Sequence, residues 1–192
     1  MGYHKQETNE TAHKQKGNYV AFMTVEEVKE LPCLAIEERG ITKKTANHFR
    51  IKTELDSKDG ITPVAHYFPY TQDRTLVAWK RVDLLLPKGA KGHITTIGAQ
   101  SAKNDLCGTI SGRKTGGGKV FITEGEYDMA VCYQALKNYL PSVKHTVLSI
   151  SNGTANAVQN IGQKQNMKYI EKFEEVVTAF DNDKATLDEK EK

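Results

Sequence analysis

The sequence predicts an α/β chain, α+β overall, in which short helices and an antiparallel β lobe precede a set of strand-to-helix units. Three observations predict it. Helix signals recur at short intervals between residues 24 and 49 with no strand among them. Two runs rich in β-branched and aromatic residues, 61–68 and 75–82, flank Thr71-Gln72-Asp73-Arg74, which suits the turn of an antiparallel hairpin. Apolar runs at 120–123, 143–150 and 176–180 each stop at a polar turn, and helical spacing of apolar residues follows the first two.

Residues 1–18 are polar and aperiodic and read as a flexible arm. Thr24 with Glu27 three residues on is a capping box for a helix that stops before Pro32. A second short helix is expected over Leu34–Arg39, ending at Gly40, and a third from a Thr42 cap through Phe49. In the hairpin, Trp79 and Tyr67 are expected as core and His66 as a half-buried strand residue, because large aromatics are mostly buried. From Pro87 to Gly118 the chain carries eight glycines and weak periodicity, and reads as a long loop. A loop of that length is either a functional flap or a solvated surface segment.

The chemistry-bearing residues sit at two strand ends. The run Val120–Thr123 stops at Glu124-Gly125-Glu126, and a helix begins that also carries Asp128. The run Val176–Phe180 stops at Asp181-Asn182-Asp183. A residue at such a turn lies at the carboxyl end of a sheet, where open α/β folds bind ligands. Alternate residues of an extended segment face one way, so Asp181 and Asp183 can share a point. Glu124, Asp181 and Asp183 together form an oxygen-rich set suited to one or two Mg²⁺ ions, with Mn²⁺ as a substitute and Asp128 joining directly or through water. Each cluster alone is weak, since strand-end acids commonly just cap a helix. Ser151-Asn152-Gly153-Thr154 is a further strand-to-helix turn, whose backbone N–H groups at Asn152 and Gly153 suit helix capping and an anion alike.

Composition narrows the class. The chain has 192 residues, is 38% hydrophobic and carries a formal net charge of +3. No stretch of 18 apolar residues and no apolar leader occurs, so a soluble cytoplasmic protein with no membrane partner is expected. Cys33, Cys107 and Cys132 are widely spaced, which points to reduced thiols and no zinc in this chain. Between Arg74 and Lys119 nine basic residues face only Asp83 and Asp105, a distribution suited to a polyanionic partner. Gly116-Gly117-Gly118-Lys119 lacks the glycine spacing and hydroxyl of a P-loop, and no protease motif appears.

Thr123–Met129, Ser149–Ala155 and Ala179–Asp183, with Glu38–Ala46 upstream, resemble in order the motifs of the TOPRIM-fold primase domain of phage-type primase-helicases. The resemblance covers roughly residues 34–185. It implies a helical and β basic subdomain over residues 19–118, then a TOPRIM-like metal-binding subdomain over 119–192 whose sheet of mostly parallel strands is flanked by helices. Related folds continue with another helix and strand, so this subdomain is expected to be truncated at its C-terminus. The resemblance further implies a DNA primase, an RNA-synthesising nucleotidyltransferase that joins ribonucleoside triphosphates on a single-stranded DNA template by two-metal phosphoryl transfer. Glu124, Asp181 and Asp183 would be catalytic. Lys80, Arg81, Lys103, Arg113 and Lys114, with Asn152 and Gly153, would hold nucleotide and nucleic acid, and a replicative helicase would be the protein partner. Such primases often carry a zinc ribbon, which this chain lacks. Two alternatives are a Mg²⁺-dependent nuclease of the same fold and a truncated, non-catalytic relative that binds nucleic acid or a replication partner.

Overall fold

The computed structural model describes residues 23–101, 103–151 and 157–180. At its start, α1 (Val25–Glu30) has the expected capping box: Thr24 Oγ1 accepts from Glu27 N at 3.2 Å, and Glu27 Oε2 accepts from Thr24 N at 2.6 Å. The expected cap at Thr42 also forms, opening α2 (Lys43–Phe49). The helix expected over Leu34–Arg39 does not. Only a 3-10 turn, Glu37–Arg39, is present. Ile36 and Ile41 instead exchange backbone hydrogen bonds of 2.9 and 3.1 Å, and both side chains are buried. Gly40, at φ +61°, lets the chain turn between them.

The hairpin is longer than the sequence suggested. β2 (Pro63–Gln72) and β3 (Thr75–Asp83) are joined through Asp73 and Arg74 alone, both left-handed at φ 49° and 63°. β1 (Lys52–Leu55) and β4 (Ile94–Gly98) complete an antiparallel sheet in the order β1-β2-β3-β4. Pro69 is tolerated mid-strand because it lies past the end of β1, whose pairing with β2 stops at Lys52↔Tyr67. The 87–118 stretch is therefore not one long loop. β4 pairs with β3, and Cys107 and Ser149 exchange backbone hydrogen bonds of 3.0 Å in each direction, which seats the following segment along a second sheet.

Each face of the antiparallel sheet has its own cover. Ala65, Tyr67, Trp79 and Ile97 pack with Val28 of α1, and Trp79 Nε1 donates to Val25 O at 3.0 Å. Trp79 and Tyr67 are thus core residues, as expected, each 1% exposed. Gly98 closes this face at φ +96°, where a Cβ would lie 2.6 Å from both Val25 Cγ2 and Val77 O. Gly98→Ala is accordingly expected to destabilise the protein by about 2–4 kcal/mol, left-handed strain adding to overpacking, read as a lower midpoint in urea with an unchanged slope.

The second sheet is parallel, in the order β6-β5-β7: β5 (Lys119–Thr123), β6 (Thr146–Ser149) and β7 (Glu175–Ala179). Helices cover both of its faces, as its apolar strands require. Met129 and Ala130 of α3 (Glu126–Tyr139) meet Val147 on one face. On the other, Val120, Ile122 and Leu148 meet Tyr169 and Ile170 of α5 (Lys164–Ile170), with Ala157 and Ile161 of α4 (Ala157–Ile161) beside them. Gly162 and Gln163 separate these two helices. Phe68 and Val82 of the antiparallel sheet join Met129, Ala130 and Val147 in one core, so the two sheets are packed through α3.

Candidate active site

The parallel register fixes what leaves the sheet where. Thr123 is paired with Ala179, so the chain emerges from β5 and from β7 at the same end of neighbouring strands. Glu124 is the first residue past β5, and Phe180 the first past β7. Asp181, Asp183, Asn152 and Gly153 lie outside the described residues.

The turn after β5 is built by its sequence. Thr123 is buried and its hydroxyl donates to Leu148 O at 3.2 Å or to Gly125 O at 3.0 Å, tying the strand end to β6 and to the turn. Gly125 is extended (φ −120°, ψ 160°), and a Cβ there would lie 2.8 Å from Asp128 Oδ2. Without a side chain at Gly125, the Asp128 carboxylate folds back over the turn, one residue from Glu124. Glu124 is half-buried and Asp128 exposed, so solvent reaches this part of the turn. Both offer hard oxygen donors of the kind Mg²⁺ prefers. Among the described residues, no group of three or more His, Cys, Asp or Glu side chains is arranged to hold a metal ion.

Glu126, two residues on, has a different fate. It is 5% exposed, and Lys80 of β3 donates to its two oxygens at 2.7 and 2.9 Å. Burial raises the Glu126 carboxyl above its ordinary range, and Lys80 pulls it back down in part. The pair links the antiparallel sheet to the first turn of α3. Sequence reading grouped Glu126 with the other acids and left it without a role. The available signal was the alternation Ala78-Lys80-Val82, which puts a lysine between two apolar residues on one face of β3.

Strand alternation separates the other basic residues. Lys80 faces α3, whereas Arg81 points to the α1 face, where its Nη1 donates to Asp83 at 2.7 Å and its Nε to Tyr67 at 3.2 Å. Lys103 is exposed just before the segment that runs along β6. Arg113 N donates to Thr146 Oγ1 at 3.2 Å, which places Arg113 and the exposed Lys114 at the opposite end of the sheet from Glu124. The structure thus brings Glu124, Asp128 and Lys80 to the start of α3, and leaves Arg81, Arg113 and Lys114 elsewhere.

His66 is more buried than expected, at 1% exposed. Its Nδ1 lies 2.8 Å from the hydroxyl of Tyr127, the residue between Glu126 and Asp128, and Arg39 stacks over the Tyr127 ring at 4.8 Å. Burial holds the His66 imidazole below its usual range, aided by Arg39 and opposed by Glu38. This contact fixes α3 against β2 and the helical lead-in.

No protein family and no curated protein matches the sequence. Solved structures do. The primase fragment of the bacteriophage T7 primase-helicase superposes with a TM-score of 0.62 and 25% identity over 79% of this chain. In fold, this chain is similar to a phage-type primase domain. A chain of a second structure, the T7 lagging-strand DNA polymerase interacting with primase domains of two gp4 subunits bound to an RNA/DNA hybrid and dTTP, matches with a TM-score of 0.57 and 26% identity. That match covers 78% of this chain and 67% of the other. The present chain spans 56% of the length of the first neighbour. The primase-like fold comprises both sheets and the helices between them, in agreement with the mixed α/β architecture read from the sequence. Among the described residues no helix is long and apolar enough to cross a membrane.

Proposed function

We propose that this chain is the primer-synthesising part of a phage-type DNA primase, acting in the cytoplasm of the infected or host cell. It would join ribonucleoside triphosphates on a single-stranded DNA template, with a replicative helicase as partner. The observation that carries the proposal is the parallel pairing of Thr123 with Ala179, which starts the Glu124 turn and the segment leading to Asp181 and Asp183 from adjacent strand tips. The similarity to two primase structures supports the same reading.

In this reading the TOPRIM-like site is formed by Glu124, Asp181 and Asp183, with Asp128 beside Glu124. Mg²⁺ bound there would stabilise the charge that develops on the transferred phosphoryl group and on the departing pyrophosphate. The rest falls to the protein. Glu124, outside the core, would orient or deprotonate the attacking hydroxyl. Gly125 lets the Asp128 carboxylate lie against the turn. Lys80 holds the buried Glu126 carboxylate and so fixes the first turn of α3 behind Glu124. Lys103, Asn152 and Gly153 are assigned to nucleotide and template.

The test is extension: labelled ribonucleotides, single-stranded DNA and Mg²⁺. The wild-type protein should make short RNA, and the double variant Asp181→Asn, Asp183→Asn should make none while melting normally. Degradation of the labelled strand instead would identify a nuclease, and equal synthesis by both proteins would reject the assignment.

A further inference from the structure

A cleft of about 240 Å³ lies beyond β6, on the edge of the parallel sheet opposite β7, between the Asp73–Arg74 turn, the segment after Asp105 and α5. Three cations converge on it, Arg74, Lys168 and Lys172. Arg74 and Lys172 both lie over the Tyr169 ring, at 5.9 and 5.7 Å. Among the described residues none of the three forms an ion pair with an acid. Arg74 is instead held by backbone carbonyls, its Nη2 donating to Ile110 O at 2.8 Å and Gly112 O at 3.1 Å.

Two acids line the cleft: Asp73, exposed on the turn, and Asp105, whose carboxylate is already committed. Asp105, 4% exposed, accepts from the Thr71 hydroxyl at 2.7 Å and from the backbone N–H groups of Asp73 at 3.2 Å and Arg74 at 2.8 Å. Two buried polar atoms are left over. Thr109 lines the cleft at 4% exposed and its hydroxyl has no hydrogen-bond partner; Arg74 Nη1 is buried and also has none. Buried donors without acceptors are uncommon and call for an explanation. A side chain at position 74 is itself unfavourable, because the second residue of this left-handed turn is ordinarily glycine.

We propose that this cleft is a phosphate seat, with Arg74, Lys168 and Lys172 supplying charge and Thr109 a hydroxyl, and that it takes a backbone phosphate of single-stranded nucleic acid. A rigidly held guanidinium beside ammonium groups matches a phosphate's several oxygens. The cleft is smaller than the about 300–1,000 Å³ of pockets that enclose a whole small ligand, so it suits one group of a longer molecule. Lys103 and Lys114 extend the same basic flank: Gln165 beside the cleft donates to Lys103 O at 2.8 Å, and Lys172 Nζ to Lys114 O at 3.4 Å. Assigning the phosphate to a DNA strand rests on the proposed function; the seat itself does not.

The experiment is binding of labelled oligothymidine by anisotropy across a salt series, with melting in inorganic pyrophosphate as a second arm. Arg74→Gly removes the cation and suits the turn's backbone; Thr109→Val and the double variant Lys168→Ala, Lys172→Ala complete the set. Arg74→Gly should weaken strand binding about three- to ten-fold at low salt, and each lost cation should flatten the salt slope by about 0.7. Loss of pyrophosphate stabilisation without loss of strand binding upholds the seat but assigns it to a free phosphate. Wild-type affinity, slope and pyrophosphate response in all variants would overturn it. Strand binding that depends on Arg74 in a wild-type protein that makes no primers would uphold the seat and reject the polymerase.

Discussion

Lys80→Met is expected to destabilise the protein by about 3–5 kcal/mol, because it strands a carboxylate in a site that excludes water. Glu126 is 5% exposed and Lys80 is its only ion-pair partner among the described residues. For a chain of this size the loss should lower the thermal midpoint by about 6–20 °C. Its pH dependence is diagnostic. Without Lys80, burial raises the Glu126 carboxyl further above the ordinary glutamate range, so the folded variant holds a proton that the unfolded chain releases. The stability this proton confers is present below the unfolded glutamate range and is lost as pH rises through the raised one. Melting at pH 5 and pH 8 should therefore show a smaller deficit, relative to wild type, at the lower pH. A deficit independent of pH would mean that Glu126 is not left ionised and buried.

Glu124→Gln should have the opposite profile. Glu124 is half-buried at the mouth of the turn, outside the three core clusters, so the substitution should move the melting midpoint little. Primer synthesis should fall by about 10²–10³-fold, the usual effect of removing one group that stabilises charge developing in a transition state. The contrast with Glu126→Gln is the sharper form of this prediction. Two glutamates separated by one glycine should divide cleanly, one affecting chemistry with the fold intact and the other affecting the fold. If Glu124→Gln melts early and Glu126→Gln does not, the division of roles drawn from their burial is wrong.

Much of this fold is written locally. The Thr24 and Thr42 caps, the hairpin around Asp73–Arg74 and the strand-to-helix turn at Glu124 all depend on residues within a few positions of one another. What escaped the sequence depends on distant partners. Ile94–Gly98 is only five residues long in a stretch rich in glycine and lysine, and its β-branched residues form a strand against the edge that β3 offers. Asn104–Cys107 looked like part of a basic loop, yet all four residues are buried, held by Ser149, Thr71 and Asn166. The Leu34–Arg39 helix failed because Ile36 and Ile41 gain more from burial together across a tight turn than from one helical stripe.

The candidate site divides along the same line. Apolar strands ending in acids were visible in the sequence, and the structure adds that β5 and β7 are adjacent and in register. Which face each charged residue would take was not visible. Lys80 and Arg81 are neighbours in sequence and lie on opposite sides of a sheet, and Arg74, Lys168 and Lys172 meet at a cleft although nearly a hundred residues separate the first from the others.

The most direct measurement is a crystal soaked in Mn²⁺, with anomalous scattering used to locate the ion. The account predicts a peak at the carboxyl ends of β5 and β7, bonded to Glu124 and to at least one of Asp181 and Asp183, and lost in the Asp181→Asn, Asp183→Asn protein. A fully soaked crystal with Glu124 and the two aspartates on different sides of the molecule, or with Mn²⁺ bound only elsewhere, would contradict it.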